Sequence, residues 1–520
     1  MIEQEYADIA AACDRLLRAP GTSLERVAIP LLHVINEHPG CIRQYQSLLS
    51  SRAGSRPDGD AQENALPLFT DSVRAAVRVG RALKRSFWRR PGAPQRAHDR
   101  LHTWARGASG PADVLIVSHL GNPAQLECED DFYFGGMQRL LQSRGLRSTV
   151  VLIDHRLRKA AGRSRSMDPS PFERQLLPQA ASPALEARIW RRCFRTRREL
   201  REAALHSGSA VDGALAMLAS RHAVSWETAA NLRLHESICE LCAQLKPRIV
   251  MTLYEGDACE RMIWHAARSQ GRRPLCVGYQ HARLHKLSHA VRRSVTVPEI
   301  DCDPDVVLTL GETSHAMLTA SPGLRAVRLI PYGSHRRAEP RRLPPIGERP
   351  DICLALADAD ERECATLFGF ALDCACSNPA TTFVFRPHPL VNIATLRSRY
   401  HSLRELPDNV GWSQGNTLEQ ECAQARYCLY RGSSAVLQAV LAGVKPFYLA
   451  RPGELAFDPL FALTEWREIV TASENFSASM KAADTSAQKE AADRARTLYD
   501  HYVSPVRPAA LDEMLALVAP

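Results

Sequence analysis

Thr381-Thr382-Phe383-Val384-Phe385-Arg386-Pro387-His388-Pro389 and Tyr427-Cys428-Leu429-Tyr430-Arg431-Gly432-Ser433-Ser434, the second running on through Ala435 to Val444, decide how this chain reads. Each is an apolar strand-like run that ends in polar residues. In a parallel α/β sheet, ligands collect at the carboxyl ends of strands. Arg386-Pro387-His388-Pro389 sets a guanidinium and an imidazole on a loop stiffened by proline. Gly432-Ser433-Ser434 opens a helix whose free N–H groups and positive dipole end attract an anion. Together they have the layout of a nucleotide-phosphate site, and the pair is more specific than either half.

The N-terminal half supplies a second constellation. Ile249-Val250-Met251-Thr252-Leu253-Tyr254 runs into Glu255-Gly256-Asp257-Ala258-Cys259-Glu260-Arg261, and Leu275-Cys276-Val277-Gly278-Tyr279 runs into Gln280-His281. Both polar ends are expected to open on one cleft. A carboxylate shielded from water there can have its pKa raised toward neutrality and act as a general base, with a histidine to assist, orient or hold an anion. Glu255 also reads as a helix N-terminal carboxylate serving backbone N–H groups, and His281 as a hydrogen-bonded loop histidine. Asp257 reads first as an N-cap, with Glu260 on the helix it starts. Arg283, His285 and Lys286 share the His281 loop and would suit an acidic acceptor.

The chain has 520 residues, 45% of them hydrophobic and 24% charged, enough for roughly two to four domains. Residues 1–110 read as a helical extension with a Gly/Ser/Pro/Asp break at 51–60 and a basic stretch at 81–90. Residues 111–334 alternate strands and helices: Val114–Ser118, a helix near 132–144, Thr149–Asp154, long helices over about 171–245, then strands at 249–254, 275–279 and 306–310. Such alternation implies a parallel sheet. The Pro- and Arg-rich segment 335–350 reads as a linker. A second α/β unit follows over 351–475, with strands at 352–356, 381–385, 427–430 and 446–449, and helices close the chain over 476–520. The fold expected is α/β, two facing Rossmann-like domains with an N-terminal helical extension.

No apolar run approaches the ~20 residues of a membrane span, and the acidic start Met1-Ile2-Glu3-Gln4-Glu5 lacks a basic-then-apolar signal, so a cytoplasmic protein is expected. The 15 cysteines form no repeated metal spacing, and Cys239-x-x-Cys242 reads as two thiols on one helix. The net charge of +9 comes mainly from arginine, which is suited to bidentate phosphate and carboxylate recognition. The arginine series Arg188 to Arg201 reads as a solvated helix face, or as a docking surface for an anionic acceptor or the inner membrane leaflet.

Tyr254-Glu255-Gly256 with Glu260-Arg261, Gly278-Tyr279-Gln280-His281, the Arg-Pro-His-Pro loop and the Arg431-to-Val444 string resemble bacterial surface-carbohydrate biosynthesis proteins of capsule and lipopolysaccharide assembly. More distantly, the His-Pro and Ser-Ser pair is similar to GT-B glycosyltransferases that use CMP-activated sugars, the Kdo transferases and sialyltransferases. The resemblance covers about residues 111–460. It implies a GT-B transferase with no cofactor besides its nucleotide-sugar donor, acting on a glycan or lipid-linked acceptor. Arg386, His388 and the helix dipole would neutralise the leaving phosphate, so a metal-independent reaction is expected; the net charge does not by itself indicate nucleic acid, and no nucleic-acid partner is expected. Arg386, His388, Arg431, Ser433 and Ser434 would bind the donor, and Gln438 stands where many GT-B enzymes carry a ribose-binding glutamate. An amide can still bond ribose hydroxyls. Glu255, His281 and Asp257 are the catalytic candidates. Two alternatives remain: transfer of a polyol phosphate from a CDP-polyol, and a non-catalytic subunit that binds sugar nucleotides.

Overall fold

The computed structural model describes residues 2–19, 21–34, 111–121, 125–126, 128–155, 174–178, 181–293, 300–338, 344, 348–389, 391–481 and 486–518. The break at 51–60, the basic stretch at 81–90 and part of the 335–350 linker lie outside them. The first sheet is made of β1 (Val114–Leu120), β2 (Ser148–Asp154), β3 (Arg174–Leu176), β4 (Ile249–Leu253), β5 (Leu275–Tyr279), β6 (Val306–Thr309) and β7 (Arg328–Pro331). Its order is β3-β2-β1-β4-β5-β6-β7, every pair parallel. The second sheet holds β8 (Ile352–Leu356), β9 (Thr382–Arg386), β10 (Val410–Trp412), β11 (Tyr427–Tyr430), β12 (Lys445–Leu449) and β13 (Glu468–Val470) in the order β10-β9-β8-β11-β12-β13, again all parallel. These are the two Rossmann-like units expected, and in each the strand order reverses beside the first strand, between β1 and β4 and between β8 and β11. A crevice forms outside the strand ends at such a switch point.

Central strands are continuous apolar runs because helices cover both faces of a parallel sheet. Val114 to Val117 and Val250 to Met251 are wholly buried. Four strands that the sequence pattern does not reveal, β3, β7, β10 and β13, are the edges of the two sheets. β3 begins inside the span expected to be wholly helical. The remainder of that span forms the helices Pro183–Leu205, Ala210–His222 and Trp226–Leu245, started by Ser182, Ser209 and Ser225, whose hydroxyls accept from backbone N–H groups three residues on. Cys239 and Cys242 ride on the third as free thiols. The arginine series on the first mostly faces carboxylates: Arg188 pairs with Glu236 at 2.9 Å, Arg192 with Glu25 and Glu236, and Arg198 with Glu202 at 3.7 Å. No helix among the described residues is long and apolar enough to cross a membrane.

The N-terminal helix Ile2–Arg18 packs on this helical layer, and Ile9, Cys13 and Leu17 share its core with Trp190, Leu215 and, from the second unit, Leu455 and Phe457. The chain then closes on itself at the other end. After helix Ser486–Tyr502 it crosses back to the first unit, where Ser334 N–H donates to Ser504 O at 3.0 Å and Arg507 N–H to Tyr332 O at 2.8 Å. Helix Ala509–Leu515 buries Ala510, Leu511 and Met514 beside Val114, Ile116 and Ile249. Arg144 grips Asp512 through two bonds of 2.6 and 2.9 Å.

A buried polar cluster joins the N-terminal helix to the first unit. Arg293 donates to Asp14 at 2.5 Å and to His33 Nδ1 at 2.8 Å, and Arg261 donates to His33 Nδ1 at 3.2 Å. With Nδ1 accepting, Nε2 carries the proton and donates to Val27 O at 2.6 Å. Burial, reinforced by the two guanidinium charges, pushes His33 well below the ordinary histidine pKa. Unfolded, the same imidazole takes up a proton near pH 6.5, so its contribution is fully present above that pH and is lost as the pH falls below it. We expect the unfolding free energy at pH 5.5 to lie below that at pH 7.5 by about 1.4 kcal/mol or more, measured by denaturant titration. A flat profile would mean that the folded protein protonates His33.

Candidate functional site

Four neighbouring strands of the first sheet each end in a titratable residue. Across β2, β1, β4 and β5 these are His155, His119, Glu255 and His281. Two come from the expected constellation, and the structure joins them: Glu255 Oε1 and His281 Nε2 are 2.8 Å apart, straddling the strands beside the switch point. His119 Nδ1 and His155 Nε2 are 2.7 Å apart with their rings stacked at 5.0 Å. Tyr133 stands edge-on to His281 at 5.0 Å and to His119 at 6.1 Å. The sequence reading missed these three residues, although His119 and His155 sit at ends of strands it had found.

The local chain explains why Glu255 is available. Glu260, buried on helix Ala258–Arg268, accepts from the backbone N–H groups of Glu255 at 2.7 Å, Gly256 at 2.9 Å and Asp257 at 3.1 Å. The helix-start duty that was one reading of Glu255 therefore falls to Glu260, while Asp257 holds the N-cap position as expected. Burial, with the charges of Asp257 and Glu255, raises the Glu260 pKa well above the usual carboxylate value. Glu255 goes the other way. Burial opposes its ionisation, but the charge and hydrogen bond of His281, with help from His119 and His155, hold its carboxyl below the ordinary value. The expectation of a carboxylate raised toward neutrality is thus overturned for Glu255, and the pair is arranged as an ionised carboxylate orienting an imidazole. Glu255, Asp257 and Glu260 also bring one oxygen each within 4.8 Å of one another, the one such ligand grouping among the described residues. Both Glu260 oxygens in it already accept N–H groups.

His281 is fixed by its neighbour. Gln280 is wholly buried; its N–H donates to Leu308 O at 2.9 Å, its Oε1 accepts from Leu310 N–H at 2.9 Å, and its Nε2 donates to Ala282 O. The loop then carries Arg283 across the cleft, where its Nη2 donates to Gly432 O. His285 packs edge-on against Phe457 at 5.9 Å. The carboxyl edges of the two sheets therefore face one another, with the Glu255–His281 pair on one side and the Gly432–Ser434 turn on the other. Arg336, expected to be only linker, lies 4.1 Å over the Phe132 ring.

On the second sheet, His388 follows β9 and is half-buried, and its carbonyl accepts from Val391 N–H at 2.9 Å. Ser433 is buried and Ser434 exposed, with no capping bond from Ser434 to the two-turn helix Ala435–Leu441. Gln438 is half-buried. The two arginines are engaged by carboxylates. Arg386 bonds Glu421 at 2.6 Å and Ser413 at 3.1 Å; Arg431, 3% exposed, bonds Glu363 at 2.7 Å and Glu454 at 2.5 Å. Breaking such a buried pair is costly, so Glu363 and Glu454 hold the Arg431 side chain in place just after β11.

Gly256 holds Glu255 in position with φ of +88°, and a Cβ there would lie 2.5 Å from the Ala290 backbone. Gly415 has a similar φ of +71° with open space around it. Gly415→Ala should therefore show backbone strain alone, about 1–2 kcal/mol. Gly256→Ala should lose clearly more, adding the clash with Ala290. Equal losses by thermal or denaturant unfolding would deny the close packing at Gly256.

No protein-family model matches the chain. No curated protein matches it either. Among solved structures it is similar to the glycosyltransferase SnogD from Streptomyces nogalater, at 15% identity over 78% of this chain and 99% of that one, with a TM-score of 0.44. It is also similar to the UDP-GlcNAc 2-epimerase from Neisseria meningitidis bound to UDP-GlcNAc, at 12% identity over 78% and 98% with a TM-score of 0.43. The UDP-GlcNAc 2-epimerase from Methanocaldococcus jannaschii matches at 10% identity over 74% and 99%, with a TM-score of 0.41.

Proposed function

We propose that the protein is a metal-independent glycosyltransferase that moves a sugar from a nucleotide-sugar, a CMP-activated one by the motif resemblance, to a surface polysaccharide or lipid-linked glycan on the cytoplasmic side of the membrane. The observation that carries the reading is the Glu255–His281 pair, set at a switch point and opposite the Gly432–Ser434 turn across the cleft. With His281 Nε2 donating to Glu255, Nδ1 is the nitrogen left to accept a proton. His281 takes the proton of the acceptor hydroxyl as its oxygen bonds the anomeric carbon; the bond from that carbon to the donor phosphate breaks, and the nucleotide leaves with the electron pair. Glu255 orients the imidazole and stabilises the imidazolium it becomes. Asp257, at the N-cap, shapes the backbone under this pair. His388, Ser433 and Ser434 hold the departing phosphate, and Gln438 the ribose.

Two measurements test the proposal. A thermal-shift panel of CMP, CDP, UDP and GDP should show selective stabilisation by one nucleotide, about 2.7 kcal/mol at a hundredfold excess over Kd. No response to any of them would end the reading. Glu255→Gln and His281→Asn should each keep donor affinity near wild type and cut transfer by about 10²–10⁴-fold. Normal transfer would leave the pair without a catalytic part and favour a binding subunit. Phosphorus in the transferred group would instead identify a polyol phosphate transferase.

A further inference from the structure

The second unit's arginines at the cleft face carboxylates: Arg386 meets Glu421, and Arg431 lies between Glu363 and Glu454. In the segment after β7, Arg337 likewise pairs with Asp500 at 2.6 Å. Its neighbour Arg336 does not. Arg336 is exposed, its guanidinium lies 4.1 Å over the Phe132 ring, and among the described residues no carboxylate is bonded to it; the ionisable groups that its charge meets are the phenols of Tyr133 and Tyr279. The acids of the Phe132 loop are already occupied. Asp131 accepts from the Ser118 hydroxyl and from the N–H groups of Tyr133 and Phe134, each at 2.9 Å, while Asp130 and Glu129 both pair with Arg139.

This cation stands beside the Glu255–His281 pair. Tyr133 is edge-on to His281 at 5.0 Å. Burial raises the Tyr133 pKa, the Glu255 carboxylate adds to the rise and the Arg336 guanidinium opposes it, so one phenol feels both the pair and the arginine. The backbone beneath is fixed: Arg336 N–H donates to Ser334 Oγ at 3.0 Å, and Ser334 N–H donates to Ser504 O at 3.0 Å. Contact with the Phe132 ring places the guanidinium without using its N–H donors, which suit a carboxylate or phosphate able to accept two of them at once.

Resting on the glycosyltransferase reading above, we propose that Arg336 binds an anionic group, a carboxylate or a phosphate, on the acceptor and so makes the protein selective for acidic acceptors. Phe132, Tyr133 and Tyr279, the groups it meets, belong to the first unit, beside the imidazole that takes the acceptor proton in that reading. The donor phosphate is assigned there to the second sheet, across the cleft.

Calorimetric titration of the full chain, saturated with whichever of CMP, CDP, UDP and GDP binds, tests this with two matched pairs of acceptor fragments: glucuronate against glucose, and glycerol phosphate against glycerol. The charged member of at least one pair should bind about tenfold or more tighter than its neutral counterpart, and Arg336→Gln should abolish that preference without changing the affinity for the nucleotide. Arg336→Lys should keep part of the preference, and Arg191→Gln, on an exposed helix face, all of it. Equal binding within both pairs, no binding of either charged member, or a preference that survives Arg336→Gln would overturn the proposal. A gain in affinity of CMP-N-acetylneuraminate over CMP that is lost in Arg336→Gln would move the residue to the donor sugar and overturn it as well. Nucleotide binding without any acidic preference leaves the transferase reading standing and removes the Arg336 assignment alone. Wild-type protein that binds none of the four nucleotides removes both.

Discussion

The return of the last segment to the first sheet is the constraint on which the cleft depends. Two parallel sheets joined by a single linker would be free to turn against each other. Here residues 504–515 pair with the ends of β6 and β7 and bury an apolar helix face in the first core. Gly333 permits the approach: its φ is +99° and a Cβ would stand 2.2 Å from Pro505 O. The Leu455 and Phe457 contacts with the helical layer add a second seam. With both in place, loops after β5 and β11 can be held within hydrogen-bond reach, which is the condition for any chemistry shared between the domains.

Within the first unit, division of labour between two carboxylates sets the character of the site. Three N–H groups at the start of a helix must be satisfied, and a single buried glutamate, Glu260, serves all three. That leaves the strand-end glutamate Glu255 for His281. Their pKa values move apart for this reason: burial among acids raises one, while imidazoles lower the other. Environments that separate two like groups are a usual way of assigning them different tasks.

What the sequence revealed, and what it concealed, follows from burial. Central strands such as 249–253 and 275–279 are legible as continuous apolar runs because both faces are covered. The edge strands β3, β7, β10 and β13 pair on one side only, so Arg174-Gln175-Leu176 or Glu468-Ile469-Val470 carries too little pattern to be seen. Glu255 and His281 were legible because each follows a strong strand at a turn. His119 was hidden although it directly follows the readable run Val114–Ser118, because a lone histidine there has no neighbouring motif to mark it as a site. Tyr133 and Arg336 owe their places to loops, and nothing local in Phe132-Tyr133-Phe134 or His335-Arg336-Arg337 says which sheet edge they meet.

The arginines carry the same lesson about charge. Composition suggested a chain rich in phosphate-binding guanidiniums, yet Arg431 and Arg386 sit against Glu363, Glu454 and Glu421, and Arg233 and Arg261 are bound to Glu186 and Asp303. Each of these pairs joins separate stretches of chain, so the charge fixes geometry before it can attract a ligand. Strand-end motifs locate a turn but cannot distinguish an arginine that reads the ligand from one that supports the turn. That difference rests on where the acids of distant helices fall, and only the folded chain determines it.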